Sequence, residues 1–334
     1  MSSPAATAAP PWLADSTTAL RAAHEQGRMP HALLIHEAPG AGGEWLATFA
    51  AALVLCERGA AAPCGQCTAC RRVAAGAHPD VSWLRPQEDS RQVRIEQVRE
   101  LSADLALTSH GGGYKVGIIT PADALNRFAA NALLKTLEEP PARTLLILVA
   151  SEPSRLPATI LSRCQRVRIR APGRAESVAW LTTVRGDADW DAALDTIGEA
   201  PMQIVQADPA ELAAVGADAR STLDALAAGS TDPLAAAERW ARSQLPLRLL
   251  CFENWLTDRI CRGERSGALL AELRAAPYLS EAGAFLNIRE LFGLIDEVRD
   301  LRATLDVPLN RGMALEALFR RIAPAGGLRN GGQG

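Results

Sequence analysis

Lysine is almost missing from this chain: of 35 basic residues only Lys115 and Lys135 are lysines, the rest being arginines. Any motif that demands lysine therefore has two places to be. Long apolar runs are missing as well; none approaches the roughly 18 residues of a membrane span, so no membrane association is expected. Nor is there a basic excess. With 35 basic residues against 38 acidic ones the formal net charge is −3, whereas a chain that grips nucleic acid unaided usually carries a strongly basic balance. Any role on DNA is then expected to be local or shared. Residues Met1 to Pro11 lack the basic start and apolar run of a signal peptide. They are expected to be a disordered N-terminus, 1–11, and the chain is expected to be cytoplasmic.

At 334 residues, 48% hydrophobic and 22% charged, the composition is that of an ordinary soluble globular protein with room for two or three cores. Short apolar runs recur at Ala32 to His36, Val81 to Leu84, Val116 to Ile119, Leu145 to Val149 and Val167 to Ile169. Helical stretches separate them, which predicts a doubly wound α/β domain with a parallel sheet, ending near Arg170. Between the third and fourth runs lies Asn131 to Pro141, where Leu133, Leu134 and Leu137 share a helical face and the Pro pair stops the helix. Beyond Ala171-Pro172-Gly173 the strand pattern ends. Residues 175 to about 207 read as a few short helices, and a Gly/Ser/Asp-rich break at Ala228 to Asp232 precedes a longer helical region. There Ile288, Leu291, Phe292, Ile295, Val298 and Leu301 repeat at three- and four-residue spacing, predicting an amphipathic helix for a domain core or a partner surface. The Gly-rich end, 325–334, is expected to be disordered.

Seven cysteines occur, four of them clustered as Cys56-x7-Cys64-x2-Cys67-x2-Cys70. Thiolates at such spacing can converge tetrahedrally on zinc, with Pro63 and Gly65 bending the loop. Disulfides are disfavoured in a cytosolic chain, and the spacing lacks the runs typical of iron–sulfur proteins. Four sulfur ligands leave no open position, so the zinc is expected to be structural. His78, nearby, is then a loop residue and not a ligand. Cys251 and Cys261 fall in a helical pattern, where a buried thiol is the ordinary case.

Directly after the first predicted strand comes Glu37-Ala38-Pro39-Gly40-Ala41-Gly42-Gly43-Glu44 and then a helix. A phosphate-cradling loop in that setting reads G-x-x-x-x-G-K-[ST], its lysine holding phosphates and its hydroxyl holding Mg²⁺. The frame survives in Pro39, Gly40 and Gly42. Glu37, however, replaces the first glycine, Gly43 the lysine and Glu44 the hydroxyl, so bound ATP is not expected. The third strand is followed by Thr120-Pro121, where ATPases of this architecture carry the Asp and Glu that hold Mg²⁺ and activate water. Asp123, the nearest acid, is expected to cap a helix.

Leu161-Ser162-Arg163-Cys164 ends a segment, Leu156 to Leu161, that follows a buried-strand pattern. Arginine suits the bracing of a transferring phosphoryl group, since its planar fork stays charged and donates in two directions. With no competent loop of its own, the chain is expected to act on ATP bound by another protein. Together the Pro39 to Gly43 loop, the Cys56 to Cys70 cluster, Gly76-x-His78-Pro79-Asp80, Ala130 to Pro141 (ANALLKTLEEPP) and Leu161 to Cys164 resemble the delta-prime family of bacterial DNA polymerase III clamp-loader subunits.

That resemblance implies an α/β AAA+ domain over 12–170 with a zinc module at 56–70, a small helical lid over 171–210 and an all-α collar over 211–324. It implies no autonomous catalysis but a place in a hetero-oligomeric ring with gamma/tau and delta subunits, part of the DNA polymerase III holoenzyme. Such a ring loads a sliding clamp onto primer–template DNA. Arg163, flanked by Ser162 and Cys164, would be an arginine finger for ATP held by gamma/tau, and Ser151 and Met202 would stand at two sensor positions, the second having lost its arginine. Two other classes compete. An active gamma/tau-type ATPase is opposed by Gly43, Glu44, Thr120 and Pro121. A stand-alone zinc DNA-binding module would use the acid-free stretch Arg155, Arg163, Arg166, Arg168, Arg170 and Arg174, which lacks interleaved aromatics.

Overall fold

The computed structural model describes residues 9–87, 90, 92–265, 288–305 and 310–323. The expected tail at 325–334 and most of the expected loose N-terminus lie outside them. Pro10 and Pro11 are described, and they lead into a short 3-10 turn, Pro11–Leu13, that buries Trp12 and Leu13. Two compact units result: one runs to Arg185 and takes in Glu199–Met202, the other takes in Gly186–Gly198 and continues from Gln203.

The first unit is built on a parallel sheet of β1 (Ala32–His36), β2 (Val81–Leu84), β3 (Lys115–Ile119), β4 (Thr144–Ala150) and β5 (Gln165–Arg168), in the order β2-β3-β4-β1-β5. All five runs read as strands of the sheet are present; the last is shifted, beginning two residues early and ending one early. Pattern and position agree. β4, apolar from Leu145 to Ala150, is buried along its whole length in the sheet interior, as a parallel strand covered on both faces must be. β5 has an outer place and carries exposed Gln165, Arg166 and Arg168, charges that discourage further strand pairing.

The covering helices are α1 (Ala14–Glu25), α2 (Gly43–Leu55), α3 (Thr68–Ala74), α4 (Ile95–Leu105), α5 (Arg127–Glu138) and α6 (Ala158–Leu161). The start of α5 is fixed by Asn126, whose side chain accepts the Ala129 N–H at 2.8 Å. Its end is fixed by Pro140, because the residue before a proline is driven out of the helical region. Leu133 and Leu137 of α5 pack with Val98, Leu101 and Leu105 of α4 on the sheet, each such burial contributing about 1.5–3 kcal/mol. The stretch Leu156–Leu161 is no strand: it contains the single turn α6, of which Ile160 is the buried residue.

The second unit is helical. Its long elements are Pro209–Ala227, Pro233–Arg242, Leu245–Arg265, Ile288–Ala303 and Arg311–Ile322. Asp208 and Asp232 cap the first two, each followed by a proline at the first helical position, where its missing N–H costs nothing. Trp240, Phe252 and Phe319 form an aromatic centre, with the Trp240 and Phe319 rings edge to face at 4.9 Å. Two expectations fail here. Phe292 is 53% exposed, and the buried stripe runs through Leu291, Leu294, Ile295, Val298 and Leu301 instead; Phe292 stands one position off that 3.6-residue line. Cys251 is buried, but Cys261 is exposed on the outer face of its helix.

Candidate functional site

In the sheet, His36 at the end of β1 is level with Ala150 of β4 and Arg168 of β5. The chain thus leaves β1 at the carboxyl edge of the strands, where open α/β sheets place their ligands. The loop Glu37–Gly42 crosses this edge and delivers α2. Gly40 (φ 75°) and Gly42 (φ 108°) occupy left-handed backbone that favours glycine.

The loop is tied to the chain's own groups at every step. The Glu37 carboxylate turns inward and accepts the Gly43 N–H at 2.6 Å, the first backbone donor of α2. Trp12 Nε1 donates to Ala41 O at 2.6 Å, and the Met202 N–H donates to Gly40 O at 3.1 Å. Glu44, where a phosphate loop places its hydroxyl, accepts both Arg85 nitrogens at 2.7 and 2.9 Å and the Thr120 hydroxyl at 3.1 Å. Burial pushes the Glu37 carboxyl up to about 7, against the pull of the Gly43 and Gly42 N–H groups; Glu44 and Asp123 add like charge.

Neither lysine is available to this loop. Lys115 is buried, pairing with Asp104 at 2.9 Å and Asp80 at 4.0 Å, and Lys135 is an exposed residue of α5. Asp123 does not cap a helix as expected. It accepts the N–H groups of Ser151 and Glu152 at 3.2 and 2.8 Å, so it fixes the chain as it leaves β4.

The four clustered cysteines come together. The sulfur atoms of Cys56, Cys64, Cys67 and Cys70 all lie within 4.8 Å of one another, a group that could hold a metal ion. Each position follows from local structure: Cys56 ends α2, Cys67 caps α3, Cys70 sits in the first turn of α3, and Cys64 lies in the loop between. Backbone N–H groups aim at the sulfurs, Cys67 N at Cys64 Sγ and Cys70 N at Cys67 Sγ, both at 3.3 Å. Hydrogen bonds from Gln66 and Cys67 draw the Cys64 thiol down to about 6, while burial pushes Cys70 up to about 12. A bound cation would hold all four as thiolates. His78 is outside the group and accepts the Asp80 N–H through Nδ1 at 3.1 Å.

Arg163 follows α6 with its side chain 36% exposed. Its Nη2 pairs with Glu138 Oε1 at 2.9 Å and its Nη1 donates to Thr159 O at 3.0 Å. Ser162 bonds the same carbonyl at 3.1 Å, and Cys164 is buried, which pushes its thiol up to about 11. The acid-free basic stretch proves to be largely neutralised from elsewhere. Arg155 faces Glu152, Arg163 faces Glu138, Arg170 faces Glu176 and Arg174 faces Glu199.

Residues 13–173 match the family model described as DNA polymerase III, delta subunit. The chain is 36% identical over 302 residues to DNA polymerase III subunit delta' of Pseudomonas aeruginosa, covering 86% of this chain and 90% of that protein. This chain belongs to the DNA polymerase III subunit delta' family. The corresponding protein of Escherichia coli K12 is 33% identical, over 93% of this chain and 94% of its own length. By contrast, the tau subunit of Escherichia coli K12 aligns with only 46% of this chain and 24% of its own length, at 36% identity. The delta' matches thus run through both units of this chain, and the fold is an AAA+ α/β domain with helical domains. Arg85 and the inward turn of Glu37 escaped the sequence. Arg85 stands 41 residues from Glu44 and carries no local signal.

Proposed function

We propose that this chain is a non-hydrolysing delta' subunit of a DNA polymerase III clamp loader, which helps place a sliding clamp on primed DNA. The observation that supports this most is the loop after β1: its inner backbone donor is taken by Glu37, and the Mg²⁺-ligand position by a Glu44 already paired with Arg85 and Thr120. A chain so arranged contributes to ATP chemistry only through another subunit's nucleotide.

In this reading Arg163, with Ser162 and Cys164 beside it, reaches an ATP held by a neighbouring gamma/tau subunit. Its guanidinium would brace the charge that spreads over the transferring phosphoryl oxygens, exchanging the Glu138 carboxylate for phosphate. Cys56, Cys64, Cys67 and Cys70 hold one structural Zn²⁺, which stiffens the turn between α2 and α3 and takes no part in the chemistry. The segments 12–170, 171–210 and 211–324 act as AAA+ domain, lid and collar, and the chain works in the cytoplasm beside gamma/tau and delta, meeting the clamp and the primer–template through the complex. The stand-alone DNA-binding reading loses ground to the acids that pair four of its six arginines.

Two measurements on the purified chain test this. Mixed with gamma/tau and delta subunits it should enter one stable assembly by size-exclusion chromatography, and titrated with Mg·ATP alone in a calorimeter it should give no binding heat. Micromolar ATP affinity, or exclusion from the assembly, would overturn the proposal.

A further inference from the structure

The loop after β1 goes beyond a loss of phosphate ligands. Its inner donors are in use: Glu37 Oε2 lies 2.6 Å from the Gly43 nitrogen, and the Gly42 N–H is also directed at this carboxylate. A carboxylate on the first N–H groups of a helix is the arrangement in which a helix N-terminus holds a phosphate oxygen. The departures at 37 and 43 are coupled in space. A Cβ at Gly43 would stand 2.5 Å from Glu37 Oε1 and 2.6 Å from a Val149 methyl, so a side chain at 43 and the inward Glu37 carboxyl compete for the same space. A Cβ at Gly42 would stand 3.1 Å from Leu13 Cδ1, and the Trp12 and Met202 bonds hold the rest of the loop closed.

We infer that Glu37 is a plug built into this loop: its carboxyl group takes the backbone donors of Gly42 and Gly43 and shuts the site against nucleoside triphosphates. This rests on reading the loop as a relic of a phosphate-binding one. It adds that the site is plugged as well as stripped: restoring the missing cation and hydroxyl is not enough while Glu37 remains. The charged groups around the carboxylate reinforce the exclusion. Glu44 and Asp123 both lie close enough to repel it, and Arg85, the cation nearby, is spent on Glu44. A triphosphate entering as the loop stands would meet Glu37 on its backbone donors and the Glu44 and Asp123 carboxylates beside it.

Two experiments on the full chain decide the matter. In amide NMR spectra the Gly43 N–H signal should shift with pH as its carboxylate partner gains and loses a proton, and that response should vanish in Glu37→Gln while Gly27 and Gly186 stay unchanged. A Gly43 signal indifferent to the substitution would overturn the inference. The second compares Gly43→Lys/Glu44→Thr with the same pair carrying Glu37→Gly as well. Calorimetric titration should show the triple variant binding Mg·ATP at least about ten-fold more tightly than the double. Equal affinity, or no binding by a folded triple variant, would overturn it. ATP binding by the unaltered chain would instead break the proposed function, so the two failures are distinguishable.

Discussion

At the scale of single residues, Glu37 has a consequence for stability. Burial raises its folded pKa from the ordinary 4.5 to about 7, so between those values the native state binds a proton that the unfolded chain has released. Its stabilising contribution is therefore complete below about pH 4.5 and is lost as pH rises through 7, a difference on the order of 3 kcal/mol. Glu37→Gln keeps an acceptor for the Gly43 N–H and removes the titration. Urea unfolding at pH 5 and pH 8 should show the unaltered chain losing stability relative to Glu37→Gln, which should be the more stable of the two at pH 8. Parallel profiles for the two proteins would show that the carboxylate is not held as described. The Glu44–Arg85 pair is a weaker lever. Both side chains are more than a third exposed or close to it, and such pairs contribute only about 0–1 kcal/mol.

Individual elements account for what could be read from the chain and what could not. β4 and β1 were legible because a strand buried on both faces must be apolar along nearly its whole length, and α5 because its Leu face and closing prolines agree. The cysteine cluster was legible because its four residues are close in sequence and the turn from α2 to α3 brings their sulfurs together. What stayed hidden was made by pairing across the chain, Arg85 on Glu44 and Asp123 on the Ser151 and Glu152 amides, and by Glu37 turning onto the first N–H of the helix that follows it. Side-chain direction was the other blind spot, since a periodic pattern did not tell Phe292 from Leu294 or show that Cys261 faces outward. The module itself is testable as an element. Apparent zinc binding in such sites reaches roughly 10–16 kcal/mol in peptides, so Cys70→Ser should loosen residues 56–76 in hydrogen exchange and leave β3 and β4 protected. Elemental analysis of the unaltered protein should find about one zinc per chain; absence of metal would remove the module from the account.

For the whole molecule the question is what a chain with a sealed loop contributes to a machine that runs on ATP, and Arg163 is the residue that answers it in the proposed reading. Its bonds to Glu138 and Thr159 are at the surface, outside the cores that hold either unit together. Arg163→Ala should then cost no more than about 1 kcal/mol of stability, the upper end for an exposed ion pair, and should enter a reconstituted ring as the unaltered chain does. The effect belongs to the neighbour's nucleotide. An arginine finger contributes about 10³ to 10⁵ in rate where it dominates, yet a ring with several ATP sites loses only one of them, so DNA-stimulated ATPase should fall in part while clamp loading falls sharply. Arg163→Lys should recover little, because an ammonium is a point charge and cannot reproduce the two-pronged contact of a guanidinium with phosphate oxygens. Rings reconstituted with each variant, assayed for ATPase and for clamps placed on primed DNA, separate the outcomes. Normal clamp loading by the Arg163→Ala ring would rule out the finger, and full recovery with Arg163→Lys would reduce its role to simple charge.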